Sequence, residues 1–220
     1  MSSPQLLEAG SSLAERAYYA IRDMIVSLQL RPGAVINERA LIESLGIGRT
    51  PVREALRQLA QERLVEVYPR RGMFVTTVEI RDLASLCEVR AALESQAAQL
   101  AAKRASDDYR GHLQELIDEL DRHEQLDQPE LMAFDERIHR AVYRAAHNPF
   151  LEQTLEEYYV LALRIWHLAL DQASSLDAAV RSHRPLLAAI VAGDAPTAGR
   201  AMRKHVDDFE QAMRRVLLGV

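Results

Sequence analysis

Three arginines at helical spacing are the first residues in this sequence that could do chemistry. Arg49, Arg53 and Arg57 recur every four residues, so in a helix their guanidinium groups share one face. Pro51 suits the first turn of that helix, where a missing N–H does no harm. The opposite face is apolar and consists of Val52, Ala55, Leu56 and Leu59. The pattern predicts a DNA recognition helix, and a solvated surface face is the alternative.

One carboxylate and three histidines form a second group. Asp135 and His139 are four residues apart, so both point to one side of a helix, while His183 and His205 lie in later segments. Three neutral imidazoles and a carboxylate suit a first-row transition metal, with positions left for water or a ligand. On spacing alone, however, a chance pair and ordinary core histidines explain the set better than a metal site does.

A helix-turn-helix surrounds the arginines. Asn37 is suited to cap a helix that carries the apolar pair Leu41 and Leu45, and Gly46 suits the left-handed residue that ends it. The segment 13–28 has helical periodicity and precedes this unit. These patterns predict three helices, of which the third carries the arginines.

A β-hairpin is predicted after the third helix. Residues 64–68 and 73–76 are rich in β-branched and aromatic side chains, and a Pro-Arg-Arg-Gly turn separates them. Arg71 and Gly72 lie at its tip, where they would lie by the DNA backbone or the minor groove. Three helices and this wing predict a winged helix-turn-helix.

Several motifs of this segment are shared with a known family: Leu30-Arg31-Pro32-Gly33, Asn37-Glu38-Arg39, Leu45 to Leu56, Leu64-Val65 and Arg70-Arg71-Gly72. Over about residues 11–78 the chain resembles the GntR family of bacterial transcription regulators. The resemblance implies that the DNA-contacting residues include Arg39, Arg49, Thr50 and Arg53, with Gly72 close to the minor groove. Gly48 stands where the family usually has serine, and Arg63 where it usually has glycine.

Charge is distributed unevenly along the 220 residues. The net charge is −5, but residues 1–78 carry +2 and residues 79–220 carry −7, so only the first part favours nucleic acid. A weakly basic reading domain suggests two copies on a two-fold DNA site. A single cysteine, Cys87, excludes an internal disulfide and fits a reducing cytoplasm. No membrane span or secretion signal is evident.

The rest of the chain reads as an all-helical domain. Six helices are predicted, at 82–104, 107–126, 129–146, 149–173, 176–192 and 195–218. Their amphipathic or wholly apolar patterns favour an antiparallel bundle of six to seven helices, so the fold class is mainly α. We expect a disordered tail at 1–10, a DNA-binding domain at 11–78, a linker at 79–82 and the helical domain at 83–220.

The helical domain resembles the effector domain, of FCD type, in the FadR branch of GntR regulators. The shared elements are Phe134-Asp135-x-x-Ile138-His139, His147-Asn148-Pro149-Phe150-Leu151, Ser182-His183 and Lys204-His205. This resemblance implies that Asp135, His139, His183 and His205 hold a metal in a central cavity. It also implies that Arg90 pairs with a small carboxylate at that metal. Ile138 replaces the usual phenylalanine. For Arg90 the alternative is an ion pair with Glu94 on its own helix.

Together these features predict a cytoplasmic, homodimeric transcription regulator, most often a repressor in this family. It would bind a palindromic operator, and its affinity for that operator would change when a small organic acid binds at the metal. Zinc is favoured by the histidine ligands, and nickel or manganese are allowed by the same set. Two alternatives stay open: a purely structural metal without a linked effector, and a metal-dependent hydrolase.

Overall fold

The first helices and strands are those of the predicted reading domain. The structure, a computed structural model, describes residues 11–77, 80–122, 126–169 and 176–218. Its first elements are α1 (Leu13–Val26), α2 (Glu38–Leu45), α3 (Arg49–Gln61), β1 (Val65–Tyr68) and β2 (Gly72–Val75). Three helices followed by an antiparallel hairpin confirm the winged helix-turn-helix. The predicted tail at 1–10 lies outside the described residues, as do residue 78 of the predicted DNA-binding domain and residue 79 of the predicted linker.

Local side-chain bonds explain where these helices begin and end. The Ser12 hydroxyl accepts from the Glu15 N–H, and the Glu15 carboxylate accepts from the Ser12 N–H, which starts α1. Asn37 Oδ1 accepts from the Ala40 N–H at the start of α2. Gly46 ends α2 with a φ of +63°, a conformation that glycine adopts without strain. The predicted tight turn into α3 follows.

The hairpin pairs Val65 with Val75 and Tyr68 with Gly72. Gly72 therefore belongs to the second strand, one residue earlier than the sequence predicts. Its φ of +104° lies in the region that favours glycine, so a side chain here would strain the tip.

The remaining described residues form a helical bundle. Its elements are α4 (Ile80–Arg104), α5 (Asp107–Arg122), α6 (Gln128–Ala145), α7 (Pro149–Ala169), α8 (Leu176–Arg181), α9 (His183–Val191) and α10 (Ala195–Leu218). Seven helices within the described ranges agree with the predicted six to seven. The predicted ends of the second and fourth helices, at 126 and 173, fall beside or within segments that lie outside the described residues. The helix predicted at 176–192 is in fact two helices, which meet at Ser182.

The long helices α4 and α10 pack along each other, and α6 and α9 pack against α4. Small buried residues on α4 allow this approach: Ala91, Ala97, Ala98 and Ala101. At Gly199 on α10 an added Cβ would lie 2.7 Å from the Gln99 side chain, so only glycine fits without movement. Ser95 also donates a hydrogen bond to the Gly199 carbonyl at 2.9 Å.

The described residues form two compact units. The first contains residues 11–77 together with Leu163–Leu168 of α7, and the second contains the other described residues from 80 onward. In the first unit the buried Arg164 donates to Thr76 Oγ1 and to the Thr76 carbonyl, each at 2.7 Å.

No helix in the described ranges has the length and apolarity that crossing a membrane requires.

Candidate metal centre and nucleic-acid interface

The helix α3 presents its polar face to solvent and packs its apolar face into the first unit. Val52, Leu56 and Leu59 are buried, whereas Arg49 and Arg53 are exposed. The full set of predicted DNA-contacting residues is exposed on this unit: Arg39, Arg49, Thr50, Arg53, Arg71 and Gly72. The arrangement can present guanidinium groups to a DNA groove while the back of the helix stays packed.

The N-terminus of α3 lacks a side-chain cap because Gly48 occupies the cap position. Pro51, the third residue of α3, has no N–H to donate. A serine hydroxyl at position 48 could therefore accept from the Thr50 N–H but not from residue 51.

Two of the predicted DNA contacts are ion-paired within the protein. Arg53 Nε lies 2.8 Å from Glu38 Oε2, and Arg39 Nε lies 2.8 Å from Glu43 Oε1. Both pairs face solvent, where an ion pair adds little stability. Contacts with phosphates or bases can thus replace these two ion pairs at a small cost in free energy.

Four side chains with metal-ligand chemistry meet inside the second unit. Asp135 and His139 lie on α6, His183 is the first residue of α9, and His205 lies on α10. All four are buried, and one donor atom from each lies within 4.8 Å of the others. His139 Nε2 is 3.2 Å from His183 Nε2 and 3.3 Å from His205 Nε2. The structure thus brings the whole predicted set together.

Hydrogen bonds at Nδ1 assign the tautomers of two of these rings. His183 Nδ1 is 3.0 Å from the Val180 carbonyl, which can only accept, so the proton is on Nδ1. His205 Nδ1 is 2.9 Å from Ser182 Oγ. Because Ser182 donates its one hydroxyl proton to the Ala179 carbonyl at 2.6 Å, it accepts from His205. Both rings therefore direct an Nε2 lone pair inward.

The third ring has the same orientation. His139 Nδ1 lies 3.1 Å from Glu94 Oε2, an acceptor, and 3.2 Å from the Tyr143 hydroxyl. With the proton on Nδ1, its Nε2 adds a third lone pair at the same point. The His139 lone pair, 3.2–3.3 Å from the other two Nε2 atoms, repels their lone pairs unless a cation lies between them. Nitrogen ligands about 2.0–2.1 Å from a tetrahedral zinc lie about 3.3 Å apart, so the donor set fits a metal ion.

Asp135 supplies the fourth donor. Its Oδ2 accepts from the Tyr159 hydroxyl at 2.8 Å, whereas Oδ1 is buried and has no hydrogen-bond partner among the described residues. Oδ1 lies 3.7 Å from His183 Nε2. A buried carboxylate oxygen without a partner is costly, and a metal ion would satisfy it.

Burial keeps two of the histidines neutral, the form that binds metals. It lowers the pKa of His183 to about 4, against the opposing effect of Asp135. Burial also lowers the pKa of His205 well below its ordinary value, and the neighbouring His183 adds to the effect. Neither ring needs to lose a proton at neutral pH before it can bind a cation.

The break between α8 and α9 explains how the cluster is supported. Ser182 stands at the break and contacts His205, while the Val180 carbonyl is used by His183. Sequence reasoning missed Ser182, Tyr159 and Glu94 as supporting residues. Of these three, only Ser182 could have been suspected from the sequence, because it directly precedes the predicted ligand His183, and that signal is weak.

Arg90 lies near this cluster but is already paired. Its Nε donates to Glu94 Oε1 at 2.6 Å, and both side chains are buried, as in the alternative considered above. Burial opposes ionisation of Glu94, but Arg90 and His139 outweigh it and hold its pKa at about 2. Arg90 Cζ also lies 5.8 Å from the ring centre of Tyr159, the partner of Asp135.

The other described histidines are not part of the cluster. His112 and His147 are exposed, His167 is half-buried, and His123 lies outside the described residues.

Comparison with known proteins agrees with both units. Residues 13–75 match the model of the gntR family of bacterial regulatory proteins, and residues 85–208 match the FCD domain. An HTH-type transcriptional regulator in an unstable DNA locus of Streptomyces ambofaciens is 33% identical over 88% of this chain and 84% of its own length.

Two further proteins are similar. A probable D-xylose utilization operon transcriptional repressor of Paenarthrobacter nicotinovorans is 34% identical over 84% of both chains. The solved structure of Escherichia coli McbR/YncC superposes with a TM-score of 0.82, at 24% identity, over 94% of this chain and 99% of its own, which supports the fold. This chain therefore belongs to the GntR family: it is a DNA-binding transcription regulator with an FCD domain, and it is not an enzyme.

Proposed function

We propose that this regulator is a homodimeric repressor. Its affinity for a palindromic operator changes when a small carboxylate binds at a metal in the second unit. The metal would be held by Asp135, His139, His183 and His205. The observation that carries the proposal is the convergence of three Nε2 lone pairs beside the orphaned Asp135 Oδ1. The target is chromosomal DNA, so we place the protein in the cytoplasm.

The donor set supports zinc as the metal. Imidazole nitrogens with one carboxylate suit Zn²⁺, and Ni²⁺ or Mn²⁺ accept the same ligands. The metal would supply a Lewis-acidic position for a carboxylate oxygen.

Charge balance supports an anionic ligand. A bound divalent cation and Arg90 together exceed the negative charges of Asp135 and Glu94 by one. Burying an uncompensated charge is costly, so a monoanion such as a small carboxylate would be favoured. The Nε of Arg90 is bound to Glu94, so its two Nη groups would pair with the ligand.

Arg39, Arg49, Thr50 and Arg53 would contact the operator, with Arg71 and Gly72 at the wing tip. Winged helix-turn-helix proteins read half-sites in pairs, and a reading domain of net charge +2 gains from a second copy. Repression is supported by the relative that is named as a repressor.

The test combines metal, acid and DNA. Metal-free protein is loaded with Zn²⁺, a panel of small carboxylates is screened by thermal shift, and hits are assayed for binding to an operator selected from random DNA. An acid that stabilises only the Zn²⁺-loaded protein and changes operator affinity supports the proposal, because linkage requires unequal binding to two states. Stabilisation by Zn²⁺ with no acid effect on operator affinity would leave the purely structural metal as the answer.

A further inference from the structure

Glu94 is a buried carboxylate that lies between Arg90 and His139 in the metal region. It lies on α4 and its side chain is 1% exposed. Its Oε1 accepts from Arg90 Nε at 2.6 Å. Its Oε2 lies 3.1 Å from His139 Nδ1 and has no hydrogen-bond partner among the described residues, so a small rotation of the ring would satisfy it. It is not among the four residues whose donor atoms meet at the cluster. Burying a carboxylate is costly, so its presence beside the cluster needs an explanation other than metal ligation.

We propose that Glu94 is a positioning residue: it holds the proton of His139 on Nδ1 and the ring in the orientation that directs Nε2 at the metal. Arg90 fixes Glu94 in turn through its other oxygen. The inference rests on the proposed metal site and adds a residue to it that is not a ligand.

His139 is the ring for which such support matters most. Its Nε2 lies within 3.3 Å of both other Nε2 atoms, so it occupies the centre of the nitrogen set. His183 and His205 bind neutral oxygens through Nδ1, whereas His139 faces a carboxylate. A carboxylate on the outer nitrogen fixes the tautomer and makes the inner nitrogen a better donor, and its loss costs about 10- to 100-fold in metal affinity.

Tyr143 is the competing candidate. Its hydroxyl lies 3.2 Å from the same Nδ1 atom. A hydroxyl can donate or accept, so it does not fix the tautomer by itself, whereas a carboxylate only accepts. If Tyr143 were the decisive partner, Tyr143→Phe would reproduce the loss of metal affinity and Glu94→Gln would not.

The test reads the proton position directly. Full-length protein with ¹⁵N-labelled histidine is examined by NMR without metal, with the His139 signal identified by its loss in His139→Gln. Zn²⁺ affinity is then measured by calorimetry. We expect Nδ1–H on His139 in the wild type. In Glu94→Gln we expect a shift toward Nε2–H and Zn²⁺ affinity weaker by about 10- to 100-fold. Glu88→Gln, an exposed change on the same helix, is the control and should alter neither.

Several results would overturn the inference. They are an Nε2–H tautomer in the wild type, or unchanged Zn²⁺ affinity and tautomer in Glu94→Gln. If Glu94→Gln fails to fold because Arg90 loses its partner, the double variant Arg90→Met/Glu94→Gln removes both charges and takes its place. A wild type that binds no Zn²⁺, but whose His139 tautomer shifts from Nδ1–H in Glu94→Gln, would contradict the proposed function while upholding the role of Glu94 in fixing the proton.

Discussion

At the scale of single residues, the cluster depends on groups that are not metal ligands. Tyr159 is the clearest case, because its hydroxyl binds Asp135 Oδ2 and so orients the carboxylate, while Oδ1 has no hydrogen-bond partner among the described residues. Its pKa is raised well above the ordinary value by burial, and Asp135 adds to the effect, so it stays a donor at neutral pH. A tyrosine among the many apolar residues of α7 gives no sign of this role in the sequence.

We expect Tyr159→Phe to weaken Zn²⁺ binding by about 10- to 100-fold, because Asp135 loses the bond that orients it. Calorimetric titration of metal-free protein measures the change. Tyr158→Phe, on the neighbouring and less buried residue of α7, should bind Zn²⁺ like the wild type. Equal affinities in both variants would show that Tyr159 plays no part in the site.

The arginines of α3 are tested in the same residue-by-residue way. We expect Arg49→Ala or Arg53→Ala to weaken operator binding by about 10- to 100-fold if each contacts a base. Arg16→Ala removes the same charge from an exposed position on α1 and should have a much smaller effect. Affinities are compared at one salt concentration. If all three variants lost the same affinity, charge alone would explain binding and the recognition-helix assignment would be wrong.

At the scale of elements, the helix break at Ser182 serves the cluster. The apolar periodicity of 176–192 predicts one helix, but Pro185 is a local signal against a continuous one, because its ring clashes with the carbonyl of Arg181. The use of the break could not be predicted, because its contacts come from distant parts of the chain: Ser182 binds His205 on α10, and His183 Nε2 lies beside His139 on α6. By contrast, the limits of α2 were predictable because Asn37 and Gly46 act on their own helix.

We expect Ser182→Ala to lower Zn²⁺ affinity, since His205 loses the acceptor that holds its proton on Nδ1. Ser44→Ala is a matched control, because Ser44 also donates to a carbonyl three residues earlier but has no histidine partner in the described structure. The two variants are compared by Zn²⁺ titration and by melting temperature. Loss of melting temperature without loss of Zn²⁺ affinity in Ser182→Ala would reduce its role to capping the break.

At the scale of the whole molecule, α7 has residues in both compact units. Tyr159 on α7 binds the carboxylate of the cluster, and Arg164, five residues later, binds Thr76 within the first unit. Burial lowers the pKa of Arg164 to about 10, and its Nε has no hydrogen-bond partner among the described residues. The family resemblance predicted the two domains of this chain. It could not predict that α7 has residues in both compact units, because Thr76 and Arg164 are far apart in sequence.

Thr76→Val keeps the shape of the side chain and removes the acceptor of Arg164 Nη1. We expect it to destabilise the protein by about 1–3 kcal/mol, because a buried charged donor is left with one partner fewer. Urea unfolding gives the difference, with Thr77→Val at the adjacent exposed position as control. Equal unfolding midpoints for the two variants would mean that the Arg164–Thr76 bond contributes no stability.

The central claim is that the four buried side chains bind a divalent metal ion. The most direct measurement is Zn²⁺ titration of chelator-treated protein, followed by its melting temperature, in the wild type, His183→Ala and the exposed control His112→Ala. We expect one Zn²⁺ per chain for the wild type and His112→Ala, with a melting temperature higher by about 5–10 °C at 100-fold excess over Kd. We expect no stoichiometric binding in His183→Ala. Undiminished binding in His183→Ala, or no binding in the wild type, would contradict the claim.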